Sequence, residues 1–270
     1  MDPAAGLGIL IAIVFFFLSV IMEGGNPVSF INIPAALVVF GGTLGVMIAC
    51  TGFNVVGRGF SLALVSMKYK SKAVDSVGAM RAIVVMAEKA RREGLLALEQ
   101  EAEGIDDPFV KKGIALVVDG TDPELVKDIL ESDVDAMDAR HTQGANIFQS
   151  AGGFAPTLGI IGTVASLVHV LHNLDDPSTL GPAISGAFIA TFYGVASANL
   201  IYLPLAAKLK KINHAEVHAR TMIIEGIISI QAGDNPRVVE EKLKTFLDPK
   251  QRAQFETPPA DSSDDLAQAA

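Results

Sequence analysis

Four stretches of this chain, residues 4–22, 33–51, 151–174 and 183–207, are long and apolar and hold no Asp, Glu, Lys or Arg. A hydrocarbon core ~30 Å thick is crossed by ~20 mostly apolar residues rising ~1.5 Å each. Backbone polar groups have no water to bond there, so each stretch reads as a transmembrane helix. Composition agrees: 50% of the 270 residues are hydrophobic and mean hydropathy is +0.41, too apolar for an ordinary soluble domain. The first stretch lacks a basic leading region and an A-x-A cleavage site, and a second span follows closely, so it reads as a retained span.

Basic residues set the orientation. All 21 Lys and Arg fall in two segments, 12 in residues 52–150 and 9 in residues 208–270. The connectors 23–32 (EGGNPVSFIN) and 173–182 (NLDDPSTLGP) hold none. Positive charge near span ends stays inside, and Arg58, Arg140, Lys208, Lys210 and Lys211 are the residues that count. Both termini and the middle segment are therefore expected in the cytoplasm, with the two hairpins outside. One cysteine, Cys50, leaves no internal disulfide, and no Cys/His spacing suggests structural zinc. A net charge of −9 argues against a nucleic-acid partner.

The middle segment carries helix punctuation. DDPFV offers Asp107 as an N-cap with Pro108 behind it, and TDPE offers the same at 121–124. Helices are expected near 55–70, 74–93, 95–103, 108–118 and 122–147, the last running towards the third span. The fourth span is expected to continue as KLKKINHAEVHARTMIIEGIISIQ, and DNPRVVEEKLKTFL to add a further helix. The Pro/Ser/Asp-rich end, 251–270, reads as disordered. The domain plan is thus 1–51 (two spans), 52–150 (cytoplasmic helical domain), 151–207 (two spans), 208–250 (cytoplasmic C-terminal helices) and 251–270 (tail). In fold class this is an all-α membrane protein. Within the middle segment, EKARREGLLALEQEAEG puts Lys89, Arg91 and Arg92 before Gly94 and Glu99, Glu101 and Glu103 after it. Two solvated helices meeting at a turn would look like this, and so would a docking face whose charge selects a partner.

The two inner spans are the most informative. Gly186, Ala190, Gly194 and Ala198 recur every fourth residue, a small stripe that lets helix backbones approach closely. Ala155 and Gly159 form a similar line in the third span, Gly162 and Ser166 another. Packing within the chain and packing against another chain both fit. Phe15, Phe16 and Phe17 make the first span look lipid-facing. Thr163 and Thr191 fall near mid-depth on antiparallel spans, a pattern for a polar lining, although a lone membrane Thr usually bonds its own helix. Pro156 and Pro204 are expected at one cytoplasmic level, where a matched pair would make a hinge. Proteins that pass ions need an ionisable group within the membrane. This chain has none in its spans, so a titrating carboxylate would have to come from another polypeptide. His169 and His172, one turn apart near the outer end, read as interfacial anchors rather than metal ligands.

The run APTLGIIGTVASLVHVLHNLDDPSTLGPAISGAFIATFYGVASANLIYLPLAAKLK resembles the third and fourth spans of bacterial flagellar stator A-subunits, the MotA/PomA family. ARREGLLALE and LVVDGTDPELV resemble that family's cytoplasmic signature, and the likeness covers roughly residues 1 to 250. It implies an ion-driven torque generator of the inner membrane, in which five A-subunits surround two single-span B-subunits (MotB or PomB) that supply the essential Asp. It implies that Thr163 and Thr191 lie on the ion pathway and that Pro156 and Pro204 couple conformation. It further implies that Arg91 and Glu99, with Arg92 and Asp119 as weaker matches, engage the rotor protein FliG. No enzymatic activity, cofactor or metal is implied beyond a translocated H+ or Na+. The ion is left open, with a lean to protons. The alternative is a force generator of the ExbB/TolQ type, whose chains usually place one span, not two, before the cytoplasmic segment. An intramembrane enzyme would need a dyad or metal triad at depth; Ser166 and His169 lie one turn apart but have no third group.

Overall fold

The structure, a computed structural model, describes residues 4–53, 56–57, 76–105, 107–172, 174–175 and 177–256. The described residues form helices and turns with no strand. Helix α1 is Ala4–Met22, and α2 is Ile33–Thr51 with a π-helical turn at Leu37–Gly41. Next come α3 (Ser76–Glu93), α4 (Leu98–Glu103), α5 (Pro108–Val118) and α6 (Pro123–His172). Helix α7 joins Pro177–Ala196, a π-helical turn at Ser197–Tyr202, and Leu203–Gln231. Helices α8 (Pro236–Lys244) and α9 (Pro249–Glu256) complete the chain.

The two anticipated caps, at Asp107 and in TDPE, form, and Asn235 adds a third. Asp107 Oδ1 accepts from the Phe109 amide at 2.8 Å, Asp122 Oδ1 from the Glu124 amide at 2.9 Å, and Asn235 Oδ1 from the Arg237 amide at 3.0 Å. Each relieves a helix N-terminus of an unpaired donor, with proline in the first turn where no donor is needed. The helix expected over 122–147 does not stop there. It continues as α6 for 50 residues, about 75 Å at the α-helical rise, and Gly144, Gly152, Gly153 and Pro156 lie within it without ending it. Among the described residues, α2, α6 and Leu180–Gln231 of α7 are long and apolar enough to cross a membrane, and Gly6–Met22 of α1 is a shorter apolar helix.

The chain divides into two compact units: Met1–Ser71 with Arg140–Ile212, and Lys72–Ala139 with Asn213–Ala270. The second has a continuous core. Met80, Ile83 and Met86 of α3, Leu98 of α4, Ile114 and Val117 of α5, Val126 and Leu130 of α6, Ile223 and Ile227 of α7 and Leu243 of α8 are all buried together. Glycines bring these helices close. A Cβ on Gly226 would sit 2.6 Å from Ile83 Cγ2, and one on Gly113 would sit 2.4 Å from Ile227 Cδ1.

Two expectations need correction at the ends of the units. Residues 251–256, read as part of a disordered tail, belong to α9: the Arg252 side chain donates to Leu247 O at 2.9 Å, and Arg81 lies over the Phe255 ring. A tertiary contact outweighs composition here; residues 257–270 lie outside the described residues, as do the helix expected near 55–70 from 58 onward and Arg58. The Phe15–Phe17 run is also not wholly outward. Phe15 is exposed, whereas Phe16 stacks on Phe192 with ring centroids 4.8 Å apart and Phe17 meets Phe30 edge-on at 6.2 Å. On a helix, consecutive residues point about 100° apart, so three adjacent rings cannot share one face.

Candidate functional site

In the membrane unit, α6 and α7 run antiparallel with their backbones in contact. A Cβ on Gly194 would fall 2.5 Å from Ala155 O and 3.1 Å from Pro156 Cα; one on Gly159 would fall 2.8 Å from Ala190 O. Ala155, Ala190 and Ala198 are almost fully buried. Gly186 faces Asn32, whose Nδ2 would lie 3.2 Å from an added Cβ. The stripe of small residues is thus used within the chain, against α6 and the turn preceding α2.

That close approach brings the two threonines together. Thr163 Oγ1 lies 2.5 Å from Thr191 Oγ1, 2.8 Å from Ala187 O and 3.0 Å from Gly159 O. Thr163 bonds its own i−4 carbonyl as an isolated membrane Thr does, and also reaches across the helix pair. Both residues are half-buried, and they form a polar point on an otherwise apolar contact. Beside it opens a groove of about 620 Å³, lined by Val38 of α2, Gly162, Ser166 and His169 of α6, and Gly186 and Ala190 of α7.

The two prolines are not level. Gly152 packs on Leu203 and Phe148 on Leu205 and Ala206, so Pro204 sits opposite the turn around Phe148, whereas Pro156 sits at Gly194. They are offset by about eight residues, roughly 12 Å along the pair. Counted from the ends of their own spans the two prolines fall at one depth, but the glycine contacts set a different register. Each still interrupts the ladder. Pro156 has no N–H to offer Gly152 O, and Pro204 none for Leu200 O. Ahead of Pro204 the ladder is already wide, with the Leu203 amide bonding Ala198 O, five residues back. Such π-turns recur at functional positions in helices.

Sequence reasoning missed the anchor of the first hairpin. Tyr193 OH donates to Phe30 O and accepts from the Asn32 amide at 3.1 Å, while Asn32 Oδ1 caps α2 through the Ala35 amide at 3.0 Å. The N-I-P order at residues 32–34 was a legible cap signal; the partner 161 residues away was not.

In the second unit, the charge-separated run is split by Gly94, which has φ +87°. Lys89 and Glu101 pair across the turn at 2.5 Å, and this hydrogen bond raises the Lys89 pKa. Arg91, Arg92 and Glu99 remain exposed around it. Asp119, also exposed, shares a shallow groove of about 210 Å³ with Glu99, Lys111 and Ala115. Glu99 and Asp119 therefore belong to one surface. Among the described residues no group of three or more His, Cys, Asp or Glu is placed to hold a metal.

These features can be set beside known proteins. Residues 101–222 match the model of the MotA/TolQ/ExbB proton channel family. Motility protein A of Bacillus subtilis (strain 168) is 36% identical over 255 residues, 94% of each chain. Chemotaxis protein PomA of Vibrio alginolyticus is 36% identical over 254 residues, 94% of this chain and 98% of that one. The chain belongs to the MotA/PomA family. A chain of the flagellar MotAB stator complex from Bacillus subtilis superposes with a TM-score of 0.85 at 35% identity, covering 93% of this chain and 98% of that one. A MotA/PomA member is a membrane-embedded stator subunit, and the long apolar helices suit that role.

Proposed function

We propose that this chain is the A-type subunit of an ion-driven flagellar stator in the inner membrane. It has four spans, α1, α2 and the apolar parts of α6 and α7, with both termini and the second unit in the cytoplasm. A single-span B-subunit of the MotB or PomB kind supplies the titrating Asp, and about five copies of this chain surround two of it. The observation that carries the reading is the pairing of Thr163 with Thr191 at an α6–α7 contact in spans that hold no Asp, Glu, Lys or Arg. Hydroxyls at such a point can exchange hydrogen bonds with a passing ion or its water. They cannot store charge, so an ionisable group must come from outside the chain.

The cycle follows from charge. An ion neutralises the partner's carboxylate, and its loss restores the charge. The favoured contacts of that group with the ring of A-subunits alternate, and the ring steps around the partner. Interruptions at Pro156 and Pro204 give α6 and α7 places to bend in response. The exposed Arg91, Arg92, Glu99 and Asp119 meet an oppositely patterned face of the rotor protein FliG, where charge sets register and approach more than affinity. No cofactor takes part; the translocated ion is H+, with Na+ the alternative.

The test is deletion of the gene, followed by filament counts in the electron microscope and tracking of swimming. Normal filaments that do not turn, with movement restored by the wild-type chain, support the stator reading. Normal swimming in a strain with no second stator contradicts it and favours an ExbB/TolQ-type role.

A further inference from the structure

The groove beside the threonine pair extends along α6 away from it. Gly162 and Ala190 line one end, where a Cβ on Gly162 would lie 3.0 Å from Ala190 Cβ and 3.3 Å from Val38 Cγ1. Ala165 and Ser166 line its middle. Asn32, His169 and Pro182 line the far end, the outer one in the orientation proposed above. Gly162 to His169 is about 10 Å of helix rise. Thr43, Thr51, Thr157 and Ser197 each donate to a carbonyl three or four residues back on their own helix. Ser166, half-buried in the groove, makes no such bond and has no other hydrogen-bond partner among the described residues. Asn32 gives its Oδ1 to the Ala35 amide, which leaves its Nδ2 beside Gly186 in the groove lining.

We propose that this groove is a water-filled inlet, through which the translocated cation reaches the threonine pair from outside by way of Ser166. The inference rests on the stator reading and adds a residue to its ion route. Two features name water as the occupant. An acyl chain, or the apolar face of a helix, would leave the Ser166 hydroxyl and the Asn32 amide unpaired in a medium that offers no partner, which costs free energy. Water pairs with both. The groove also has the room: about 620 Å³, against the roughly 30 Å³ that one water takes in the liquid.

The position of Ser166 gives it a place in the route. It lies three residues beyond Thr163 on α6, about 4.5 Å of rise. An ion that leaves bulk water at the mouth meets hydroxyl oxygens at two successive levels, and each has lone pairs to turn towards a cation. Small neighbours at Gly162, Ala165 and Gly186 keep the passage between those levels open.

Cysteine labelling in cells that carry the full chain with its B-type partner tests this. The one native cysteine, Cys50, is first replaced by alanine. Ser166→Cys is then treated from outside with the membrane-impermeant reagent MTSET while tethered cells are watched. Leu167→Cys is the comparison, a neighbouring exposed position outside the groove's described lining. A thiol reacts as its thiolate, so a cysteine in water should be modified at least roughly tenfold faster than one facing lipid. Fast modification of Ser166→Cys is expected, with loss of rotation that dithiothreitol reverses. Ala165→Cys lines the same groove and should label fast too, which keeps the test valid should Ser166→Cys fail to accumulate. Without reagent, Ser166→Ala should slow rotation and Ser166→Thr should retain it. Equal labelling at the groove positions and at Leu167→Cys would overturn the proposal, since lipid or protein would then fill the groove. Fast labelling with undiminished rotation would overturn it as well, because the water would lie off the route. Fast labelling in a chain that turns no filament even as wild type supports a wet groove while counting against the stator reading.

Discussion

Among the described glycines of the membrane unit, Gly194 makes the closest backbone approach. Its Cα faces the backbone of α6, and a Cβ there would lie 2.5 Å from a carbonyl oxygen that cannot rotate away. Gly194→Ala should therefore separate α6 from α7 and lower the thermal unfolding transition of the detergent-solubilised protein. A cost of about 1–3 kcal/mol is typical of overpacking. Gly45→Ala is the control, since a Cβ there meets nothing within 4 Å, and it should leave the transition in place or raise it slightly. Tyr193 makes a different demand. Tyr193→Phe keeps the ring contacts with Phe40 and Phe192 but removes the partner of Phe30 O and of the Asn32 amide. Leaving such groups unpaired costs about 1–3 kcal/mol. The variant should unfold earlier and show faster amide exchange at Asn32.

Among the elements, the helices of the second unit carry lysines whose partners lie on other turns or helices. Lys89 bonds Glu101, Lys242 bonds Glu225 at 2.8 Å, and Lys244 bonds Glu240 at 2.7 Å and Glu241 at 2.9 Å. In each case the hydrogen bond to the first-named glutamate is the main cause of a pKa raised above the ordinary 10.5. A lysine whose folded pKa is raised adds stability that is fully present below its unfolded pKa. That stability is lost as pH climbs through the folded value. These pairs should give no pH dependence between neutrality and pH 10.5, then a falling melting temperature above it, read by circular dichroism at 222 nm. Around them, Arg91 and Glu99 are exposed and make no demand on the fold. Charge reversal at either should move stability by no more than about 0.5 kcal/mol while reducing swimming. A compensating reversal on the rotor should restore swimming; unimpaired swimming by the double reversal would remove these residues from the rotor contact.

Element by element, the sequence was legible where the cause is local. Asp107 with Pro108 defines the start of α5, and the helix ends at Val118, where 108–118 was expected. The α6–α7 register was not legible. Small residues declare that two backbones can touch, but Gly159, Gly162, Gly186 and Gly194 offer several alignments. Which one forms depends on the whole contact, from Gly152 on Leu203 to Thr163 on Ala187. For the same reason the threonine pair could be anticipated by depth, whereas the offset of the prolines could not. Helix α9 was missed because its anchors, Arg81 and Leu247, lie outside the segment whose composition was being read.

For the whole molecule, the account is one of divided labour. The chain contributes apolar helices, a hydroxyl pair and a charged surface on its second unit, and in the proposed stator the ionisable membrane group belongs to the partner. Function and fold therefore separate at Thr163 and Thr191. Valine at both positions preserves shape and should cost only about 1–2 kcal/mol of packing and hydrogen bonding, as interhelical bonds in membranes do. The most direct measurement is the rotation of tethered cells in which Thr163→Val/Thr191→Val replaces the wild-type chain at matched membrane abundance. The account predicts filaments in normal number that do not turn, with rotation recovered by serine at the same two positions. Undiminished rotation of the double-valine cells would contradict it, because the ion route would then owe nothing to these hydroxyls.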